Sequence, residues 1–416
     1  MDSTLAPAPV ARTHVRSTKE VSVQFRAETY RNASSPAPQK SKCSNLIRLP
    51  YPPAVRDVGL QILPRGKTQG PPATPPPAPI EAAAGRLIDS HGRAIRDLRL
   101  SITDRCNFRC VYCMEPDVRF MASGELLTVP EMLRVSEVCV SLGIEKIRIT
   151  GGEPTVHPRL SEIIEGLAAL QPAGLSDLAI TTNGSLADED SLRAWKQAGL
   201  QRITISIDSI RPERFARVTR ANCEPARVLE TIAAAQRVGL TPVKVNAVIV
   251  RGLNEDEIVP LAELARTYGV EVRYIEFMPL DSGHGWDLRK VVSAAEVLRT
   301  IGERYALVDV GREDPSSTSL LYRFADGAPG RIGLVAPVTR AFCGACSRLR
   351  ITADGKVRPC LFSRDEWDLR PLLRGGATDA EIAQFLVDAT WTKQKGHGIS
   401  SPSFQQPDRP MSAIGG

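Results

Sequence analysis

A strand-like segment runs directly into three cysteines in the stretch Arg99-Leu-Ser-Ile-Thr-Asp-Arg-Cys-Asn-Phe-Arg-Cys-Val-Tyr-Cys113. Cys106, Cys110 and Cys113 follow the spacing C-x3-C-x2-C and are called here the first cysteine motif. A [4Fe–4S] cluster is normally held by four cysteine thiolates, so three thiolates leave one iron open to a small molecule. The alternatives are three buried thiols or a structural zinc site, which would need a fourth ligand that the nearby sequence does not supply.

Six strand-like segments alternate with amphipathic segments from residue 86 onward. The predicted strands are Leu98–Thr103, Lys146–Thr150, Leu178–Thr182, Arg202–Asp208, Val243–Val250 and Val272–Met278. Strands that alternate with helices predict a parallel sheet. The sequence therefore predicts an α/β fold, an incomplete (β/α)6 TIM-type barrel over residues 86–290. Residues 291–416 are predicted to form a C-terminal extension that carries a second iron–sulfur cluster.

The composition excludes several classes of protein. No apolar run approaches membrane-spanning length, so no membrane partner is expected. The net charge is +6, but residues 1–85 hold eleven Lys/Arg against five Asp/Glu, which leaves 42 against 42 in the remainder. A neutral folded part argues against a nucleic-acid partner. Nine cysteines, six of them in two motifs, suit metal ligation in a reducing compartment better than a disulfide framework.

The first 85 residues differ in composition from the rest. They hold fourteen of the 32 prolines, and we expect a disordered, Pro-rich extension that does not pack on the fold. Few acids together with many Arg, Ser and Ala resemble an organellar transit peptide. A bacterial gene whose start codon is assigned too far upstream would give a similar composition. A cytoplasmic location is expected, or the mitochondrial matrix if residues 1–85 are a transit peptide.

Glycine and polar residues follow the predicted strands at their carboxyl ends. Strand two ends in Gly151–Pro154, strand three in Thr181–Gly184 and strand four in Ser206–Asp208. Two glycines allow a backbone to approach a ligand without a Cβ in the way. In α/β barrels the working residues lie at the carboxyl ends of the strands. The sequence predicts a ligand site there, although turn and helix-cap chemistry is the alternative for any single residue.

A second cysteine motif lies in the C-terminal region. Cys343, Cys346 and Cys360 follow C-x2-C-x13-C, again three ligands. Arg348 and Arg350 lie on a short strand between them, and alternate residues of a strand face the same way. Guanidinium groups bind phosphate bidentately and stay charged. Both arginines are therefore predicted to point together at the ligand of the second motif.

Further cations lie inside predicted strands, where burial of an unpaired charge is costly. We expect them at the barrel mouth around a polyanionic ligand, or partly in solvent between helices: Arg99, Lys146, Arg148, Lys244 and Arg273.

These motifs together resemble the MoaA family of radical S-adenosylmethionine (SAM) enzymes, the GTP 3′,8-cyclases of molybdenum cofactor biosynthesis. The resemblance rests on Arg-Leu-Ser-Ile-Thr-Asp-Arg-Cys-Asn-Phe-Arg-Cys, Lys-Ile-Arg-Ile-Thr-Gly-Gly-Glu-Pro, Cys-x-x-Cys-x-Arg-x-Arg and the terminal Gly415-Gly416. It extends from about residue 86 to residue 416 and leaves out residues 1–85.

The resemblance implies two [4Fe–4S] clusters, bound SAM and a radical reaction on GTP. Reductive cleavage of SAM would give a 5′-deoxyadenosyl radical that takes the ribose 3′-hydrogen, and the sugar radical would attack guanine C8. The second cluster would bind the guanine, and the C-terminal tail would position a basic residue for the radical step. The implied cluster ligands are Cys106, Cys110, Cys113, Cys343, Cys346 and Cys360. The implied SAM contacts are Tyr112, Gly152, Ser206 and Met278. The implied GTP contacts are Arg99, Arg148, Thr181, Lys244, Arg348 and Arg350. The implied catalytic residues are Arg348, Arg350, Gly415 and Gly416.

The resemblance also implies partners. They are GTP, a low-potential electron donor, a MoaC-like cyclic pyranopterin monophosphate synthase that acts downstream, and a second copy in a homodimer. Two other functions stay open from the sequence. One is a radical SAM enzyme that modifies a peptide, although such enzymes usually carry more C-terminal cysteines. The other is a non-catalytic iron–sulfur or zinc scaffold, which the intact Gly-Gly-Glu-Pro and both arginines disfavour.

Overall fold

The computed structural model of the chain describes residues 74–78 and 85–415, in which a single twelve-stranded sheet is found. These residues belong to one compact unit, Val58–Gly416. The first six strands are β1 Asp97–Ser101, β2 Lys146–Thr150, β3 Asp177–Thr182, β4 Arg202–Ser206, β5 Lys244–Ile249 and β6 Glu271–Glu276. Each pairs in parallel with the next, which confirms the six predicted strands and the partial TIM-type barrel.

The helices between these strands cover one face of the sheet. They are α1 Val129–Ser141, α2 Leu160–Ala168, α3 Glu189–Gln197, α4 Pro212–Thr219, α5 Pro225–Val238, α6 Ile258–Tyr268 and α7 Ala294–Gly302. The predicted amphipathic segments, residues 130–142, 159–170, 190–198, 226–238 and 256–268, correspond to α1, α2, α3, α5 and α6. Helices α4 and α7 are additional. The eight residues of α4 give only two turns of periodicity, too few to predict a helix.

The strand residues alternate between the helices and the barrel interior. In β1, Leu98 and Leu100 are buried in the main hydrophobic core, whereas Arg99 between them lines an interior cavity. In β2, Ile147 and Ile149 are buried in the same core around Arg148, which lines that cavity too. Side chains along a strand point to opposite faces in turn. The apolar set therefore packs on the helices, and the charged set faces the interior.

The C-terminal region extends this sheet at both edges. Its strands are β7 Leu307–Gly311, β8 Leu320–Phe324, β9 Arg331–Val335, β10 Arg348–Ile351, β11 Lys356–Arg358 and β12 Trp367–Asp368. Strand β9 pairs in parallel with β6, and β8 and β7 follow it in antiparallel order. Strand β10 pairs in parallel with β1, and β11 and β12 follow in antiparallel order. The helices of this region are α8 Arg370–Arg374, α9 Asp379–Trp391 and α10 Met411–Ile414.

The strand register brings three arginines into one row. Arg99 in β1 is the Cα partner of Arg350 in β10 on one side and of Arg148 in β2 on the other. The pairing of β10 with β1 therefore carries the Cys-x-x-Cys-x-Arg-x-Arg element to the barrel interior. Distant parts of the sequence meet here because the C-terminal strand completes the barrel edge.

Part of the Pro-rich extension packs on the fold, contrary to the prediction for residues 1–85. Pro75 is buried, and Ala78 lies against the main hydrophobic core. The Ala78 N–H donates to Asp388 Oδ1 of α9 at 2.8 Å. Prolines hold a chain extended, which suits a segment laid across a helix. Residues 1–73 and 79–84 lie outside the described residues, so the prediction of disorder is not tested there.

This contact leads to a stability prediction. A chain that begins at Gly70 keeps residues 74–78, and one that begins at Ala84 lacks them. We expect the shorter chain to lose about 1 kcal/mol of unfolding free energy, the typical net worth of one hydrogen bond, while SAM cleavage is unchanged. Urea unfolding of the two chains measures the difference. Equal unfolding free energies would show that residues 74–78 contribute nothing, and an activity loss would contradict a purely stabilising role.

No helix within residues 74–78 and 85–415 is both long and apolar enough to cross a bilayer.

Candidate functional site

The loop that carries the first cysteine motif leaves the carboxyl end of β1 and rests on α4. The Arg109 N–H donates to Thr219 O at 2.8 Å, and the Val111 N–H donates to Val218 O at 3.0 Å. These carbonyls belong to the last turn of α4, which has no intrahelical partners for them. The helix that sequence periodicity missed therefore supports the cysteine loop.

The three thiols of the first motif line one cavity at the carboxyl ends of the strands. This first cavity has a volume of about 210 Å³ and is lined by Cys106, Cys110 and Cys113. All four residues that the resemblance assigns to SAM line the same cavity: Tyr112, Gly152, Ser206 and Met278. The structure thus brings seven predicted site residues together at one place.

The backbone of the cysteine loop requires both glycines of Gly-Gly-Glu-Pro. A Cβ at Gly152 would lie 2.4 Å from Arg105 O, and a Cβ at Gly151 would lie 2.5 Å from Thr103 O. The Gly152 N–H donates to Thr103 O at 2.8 Å. The glycines are required because this turn packs against the backbone just before Cys106. Close approach to a ligand is not needed to explain them.

Burial disfavours the charged thiolate form of the cysteines in the first motif. Burial raises the pKa of the Cys106 thiol to about 12 and that of the Cys113 thiol to about 11. Groups of Ser412 in the C-terminal tail act on Cys113 in the opposite sense. The thiolate is the form that binds a metal, so a metal that binds these thiols must displace their protons.

The first cavity has room for more than a single ion. Three thiols around a cavity of about 210 Å³ leave room for a larger group. The residues of the first motif therefore fit a multinuclear cluster with one open position.

A buried carboxylate orients the aromatic residue of the motif. The Tyr112 hydroxyl donates to Asp208 Oδ2, and the Val248 N–H donates to Asp208 Oδ1 at 2.8 Å. Burial raises the pKa of Asp208 to about 6, and the two hydrogen bonds oppose that rise. Asp208 is the last residue of the polar segment Ser206–Asp208 predicted at the end of strand four. Its hydrogen bond fixes the position of Tyr112 in the first cavity.

The second cysteine motif lines a neighbouring cavity inside the barrel. This central cavity, of about 160 Å³, is lined by Cys343, Cys346, Cys360, Arg348 and Arg350. Both arginines are buried, with 8% and 6% of their surfaces exposed. They face one space, as strand alternation predicts.

The two cavities adjoin, because five residues line both: Thr181, Asn246, Ile275, Met278 and Met411.

Electrostatics differ between the two motifs. Burial by itself raises the pKa of the Cys346 thiol, but the charges of Arg348, Lys393 and Arg350 and a hydrogen bond from the Arg348 backbone together lower that pKa to about 6. A thiolate is thus favoured at Cys346 even before a metal binds. Burial raises the pKa of the Cys343 thiol, so the cationic surroundings favour a thiolate at Cys346 alone, whereas burial disfavours it at Cys106 and Cys113.

A cluster of guanidinium groups surrounds the central cavity. Burial lowers the pKa of Arg99, and its neighbours Arg148, Arg350 and Arg348 lower it further. Burial also lowers the pKa of Arg148 and of Arg350, each to about 10. Arg350 Nε has no hydrogen-bond partner among the described residues. Buried cations that repel one another are stabilised by an anion, so this cluster is suited to a polyanionic ligand.

A lower cavity of about 170 Å³ continues toward the amino ends of the strands. Lys146 and Lys244 line it as the first residues of β2 and β5. The prediction that they lie at the barrel mouth is therefore wrong, because the mouth is formed by the opposite ends of these strands. Burial and then Arg273 lower the pKa of Lys244 to about 8.

The central and lower cavities share Arg99, Arg148, Arg273, Thr318 and Arg348. Together they are lined by eight Lys/Arg residues against three carboxylates.

The C-terminal tail enters the mouth of the barrel. A Cβ at Gly415 would lie 2.8 Å from Thr150 Oγ1 and 3.1 Å from Ser101 Cβ, at the carboxyl ends of β2 and β1. Gly415 has a φ of 70°, a backbone conformation that favours glycine. Ile414 before it is fully buried. Gly416 lies outside the described residues, so its predicted role is not tested.

Comparison with known proteins shows the family to which this chain belongs. A model of the Radical SAM superfamily matches residues 100–265, and a model described as Molybdenum Cofactor Synthesis C matches residues 270–399. A Streptomyces coelicolor relative named GTP 3′,8-cyclase is 47% identical over 332 residues, 79% of this chain and 96% of that protein. The chain belongs to the GTP 3′,8-cyclase family. A relative from Mycolicibacterium smegmatis, also named GTP 3′,8-cyclase, is 46% identical over 347 residues, which cover 82% of this chain and 94% of that protein.

Solved structures agree with the fold of the family. SuiB of Streptococcus suis bound to its precursor peptide SuiA has a TM-score of 0.52 at 14% identity and covers 75% of this chain and 68% of that one. SuiB bound to S-adenosylmethionine has a TM-score of 0.51 at 12% identity, with coverages of 75% and 76%. At such identities the likeness extends to the fold alone.

Sequence reasoning missed several residues of the site. Asn246 lines both the first and the central cavity, and its buried Oδ1 has no partner among the described residues. The signal was available, because Asn246 is a polar residue inside an apolar strand. Ser412 and Lys393 gave no signal, because a serine in a tail and a lysine between polar residues are typical of protein surfaces.

Proposed function

We propose that this chain is a radical SAM GTP 3′,8-cyclase, which converts GTP to 3′,8-cyclo-7,8-dihydro-GTP in the first step of molybdenum cofactor biosynthesis. Family membership at 47% identity over 96% of a named cyclase supports the activity. The single structural observation that carries the proposal is the adjacency of two cavities. One is lined by three cysteines, and the other by three cysteines and a buried arginine cluster.

Two [4Fe–4S] clusters and SAM are the proposed cofactors. When bound, the first cluster and SAM supply a 5′-deoxyadenosyl radical. Cys106, Cys110 and Cys113 would hold the first cluster, and Tyr112 and Gly152 would contact SAM. Ser206 and Met278, which also line the first cavity, would complete the SAM site. The second cluster would be held by Cys343, Cys346 and Cys360.

GTP is proposed to lie across the central and lower cavities. Its guanine would face the second cysteine motif and Arg348 and Arg350, and its phosphates would extend toward Lys244. Arg99 and Arg148 between these positions would bind the ribose and phosphate oxygens, and Thr181 lines the wall shared with the first cavity. This arrangement would place the ribose beside the SAM site, as abstraction of a 3′-hydrogen requires.

Gly415 and Gly416 are proposed to position a basic residue in the mouth for the radical step. Gly415 lies against Ser101 and Thr150, at the ends of strands whose interiors carry Arg99 and Arg148. A side chain at Gly415 would prevent this approach. The tail therefore acts, in this proposal, by positioning and by excluding water.

Other parts of the proposal concern organisation and partners. We propose residues 86–290 as the radical SAM barrel and residues 291–416 as the region of the second cluster, which the matched ranges 100–265 and 270–399 support. A low-potential electron donor, a downstream cyclic pyranopterin monophosphate synthase, a homodimer and a cytoplasmic location are likewise proposed.

The proposed function is tested by one anaerobic activity assay. Reconstituted protein is incubated without oxygen with SAM, a reductant and GTP, and the nucleotide product is analysed by mass spectrometry. We expect a cyclised isomer of GTP and none from ATP. No nucleotide product would contradict the proposal. Modification of a supplied peptide would instead favour the peptide-modifying alternative.

The arginine pair gives a binding prediction. Replacing Arg348 or Arg350 with alanine should weaken GTP binding by about one to two orders of magnitude, since a hydrogen bond to a charged group is worth roughly 1.5–3 kcal/mol. SAM cleavage without GTP should persist. Calorimetric titration with GTP measures the loss, and the exposed strand arginine Arg323 provides the matched control. Parent-like GTP affinity in both variants would assign the two arginines to the fold.

A further inference from the structure

A buried lysine bridges the two segments that carry the second cysteine motif. Lys393, just after α9, is 2% exposed. Its Nζ donates to Arg348 O at 2.7 Å and to Pro359 O. Arg348 follows Cys346 by two residues, and Pro359 immediately precedes Cys360. The ammonium therefore ties together the backbone on both sides of this motif.

The charge of Lys393 lacks an ordinary partner. Among the residues that the structure describes, no carboxylate forms an ion pair with it. Burial lowers the pKa of Lys393, negative charge on Cys346 and Cys360 opposes that fall, and Arg350 and Arg348 add to it. A buried ammonium without a counter-charge is costly. The negative charge of the second motif is therefore the counter-charge that this site offers.

The next residue along the chain contacts the same motif. Gln394 Nε2 donates to Cys360 Sγ at 3.5 Å. Hydrogen bonds to cluster sulfurs and nearby charge both set the reduction potential of an iron–sulfur cluster. Two consecutive residues thus present a positive charge and an N–H donor to the second motif.

We propose that Lys393 is a positioning residue of the second cluster, one that holds the Cys346 and Cys360 segments in place and raises the cluster's reduction potential. Gln394 acts in the same direction through its hydrogen bond to Cys360. The proposal rests on the proposed function, in which the second motif holds a [4Fe–4S] cluster. A positive charge beside three thiolates stabilises the reduced cluster, because reduction adds a negative charge.

The test isolates the second cluster. In a full-length chain that carries C106A, C110A and C113A, only the second motif is left to bind iron. We expect K393M to lower the reduction potential by about 59 mV, a tenfold change in the equilibrium constant of a one-electron reduction. K393R keeps the charge and should stay near the parent value. Q394L should shift the potential in the same direction by less. The exposed Lys395 provides the control K395M.

The readouts are a redox titration followed by electron paramagnetic resonance and the iron content per chain. A parent-like potential and iron content in K393M would overturn the proposal. Loss of second-cluster iron from K393M but not from K393R would support it, provided that circular dichroism shows a folded chain. If the chain with both motifs intact binds only about four irons, the proposed second cluster fails, and this inference fails with it.

Discussion

Replacing Cys106 with alanine is expected to abolish SAM cleavage, whereas replacing Cys346 should abolish only the cyclised product and leave an abortive SAM cleavage. The reason is that the two motifs line different cavities, with the proposed SAM contacts in the first and the arginine cluster in the second. We expect about eight irons in the parent and about four in either variant. Iron analysis and chromatography of 5′-deoxyadenosine measure these outcomes.

Cys223 supplies the matched control for this prediction. It is a half-buried cysteine outside both motifs, and its thiol contacts Glu224 O. Cys223→Ala should keep about eight irons and full product formation. Stoichiometric zinc, or about four irons in the parent, would contradict the assignment of two clusters. Loss of SAM cleavage in Cys346→Ala would contradict the division of roles between the cavities.

Replacing Gly415 with alanine is expected to reduce cyclised product by about tenfold or more. The left-handed backbone conformation costs an L-residue roughly 1–2 kcal/mol, and 1.4 kcal/mol corresponds to a tenfold change. The added Cβ would also lie 2.8 Å from Thr150 Oγ1. Both clusters, GTP binding and unproductive SAM cleavage should persist, because Gly415 is not among the residues that line the three cavities.

Gly376 separates backbone strain from loss of the tail position. It has a similar φ of 80°, and a Cβ added there would meet nothing within 4 Å. Gly376→Ala should therefore keep product formation at the parent level. A short peptide that ends in Ile-Gly-Gly should restore some activity to a chain that lacks Gly415 and Gly416. Full product formation in Gly415→Ala would contradict a role of the tail in the radical step.

The parallel barrel was predictable because its strands alternate apolar and charged residues between clear helical segments. Leu98 and Leu100 flank Arg99, and the same pattern recurs around Arg148 in β2. The antiparallel strands β7 and β8 and the short β11 and β12 were not predicted. Their stability comes from pairing at the sheet edges, which local sequence does not encode.

The grouping of residues around the first and central cavities was predictable where residue type and strand position coincide, as at the six cysteines and at Arg348 and Arg350. Long-range contacts were not predictable. Lys393 is buried because it follows α9 at a point where its Nζ reaches the carbonyl oxygens of Arg348 and Pro359. The contacts that require Gly151 and Gly152 against the backbone of the cysteine loop were not predicted either. In each case the deciding neighbour lies far away in the sequence.

The most direct test of the central claim follows a single hydrogen atom. GTP that carries deuterium at ribose C3′ is incubated anaerobically with the reconstituted protein, SAM and a reductant, and 5′-deoxyadenosine is analysed by mass spectrometry. The adjacency of the first and central cavities predicts one deuterium in 5′-deoxyadenosine together with a cyclised nucleotide that has lost this label. Unlabelled 5′-deoxyadenosine formed alongside unchanged GTP would contradict the proposed reaction at this site.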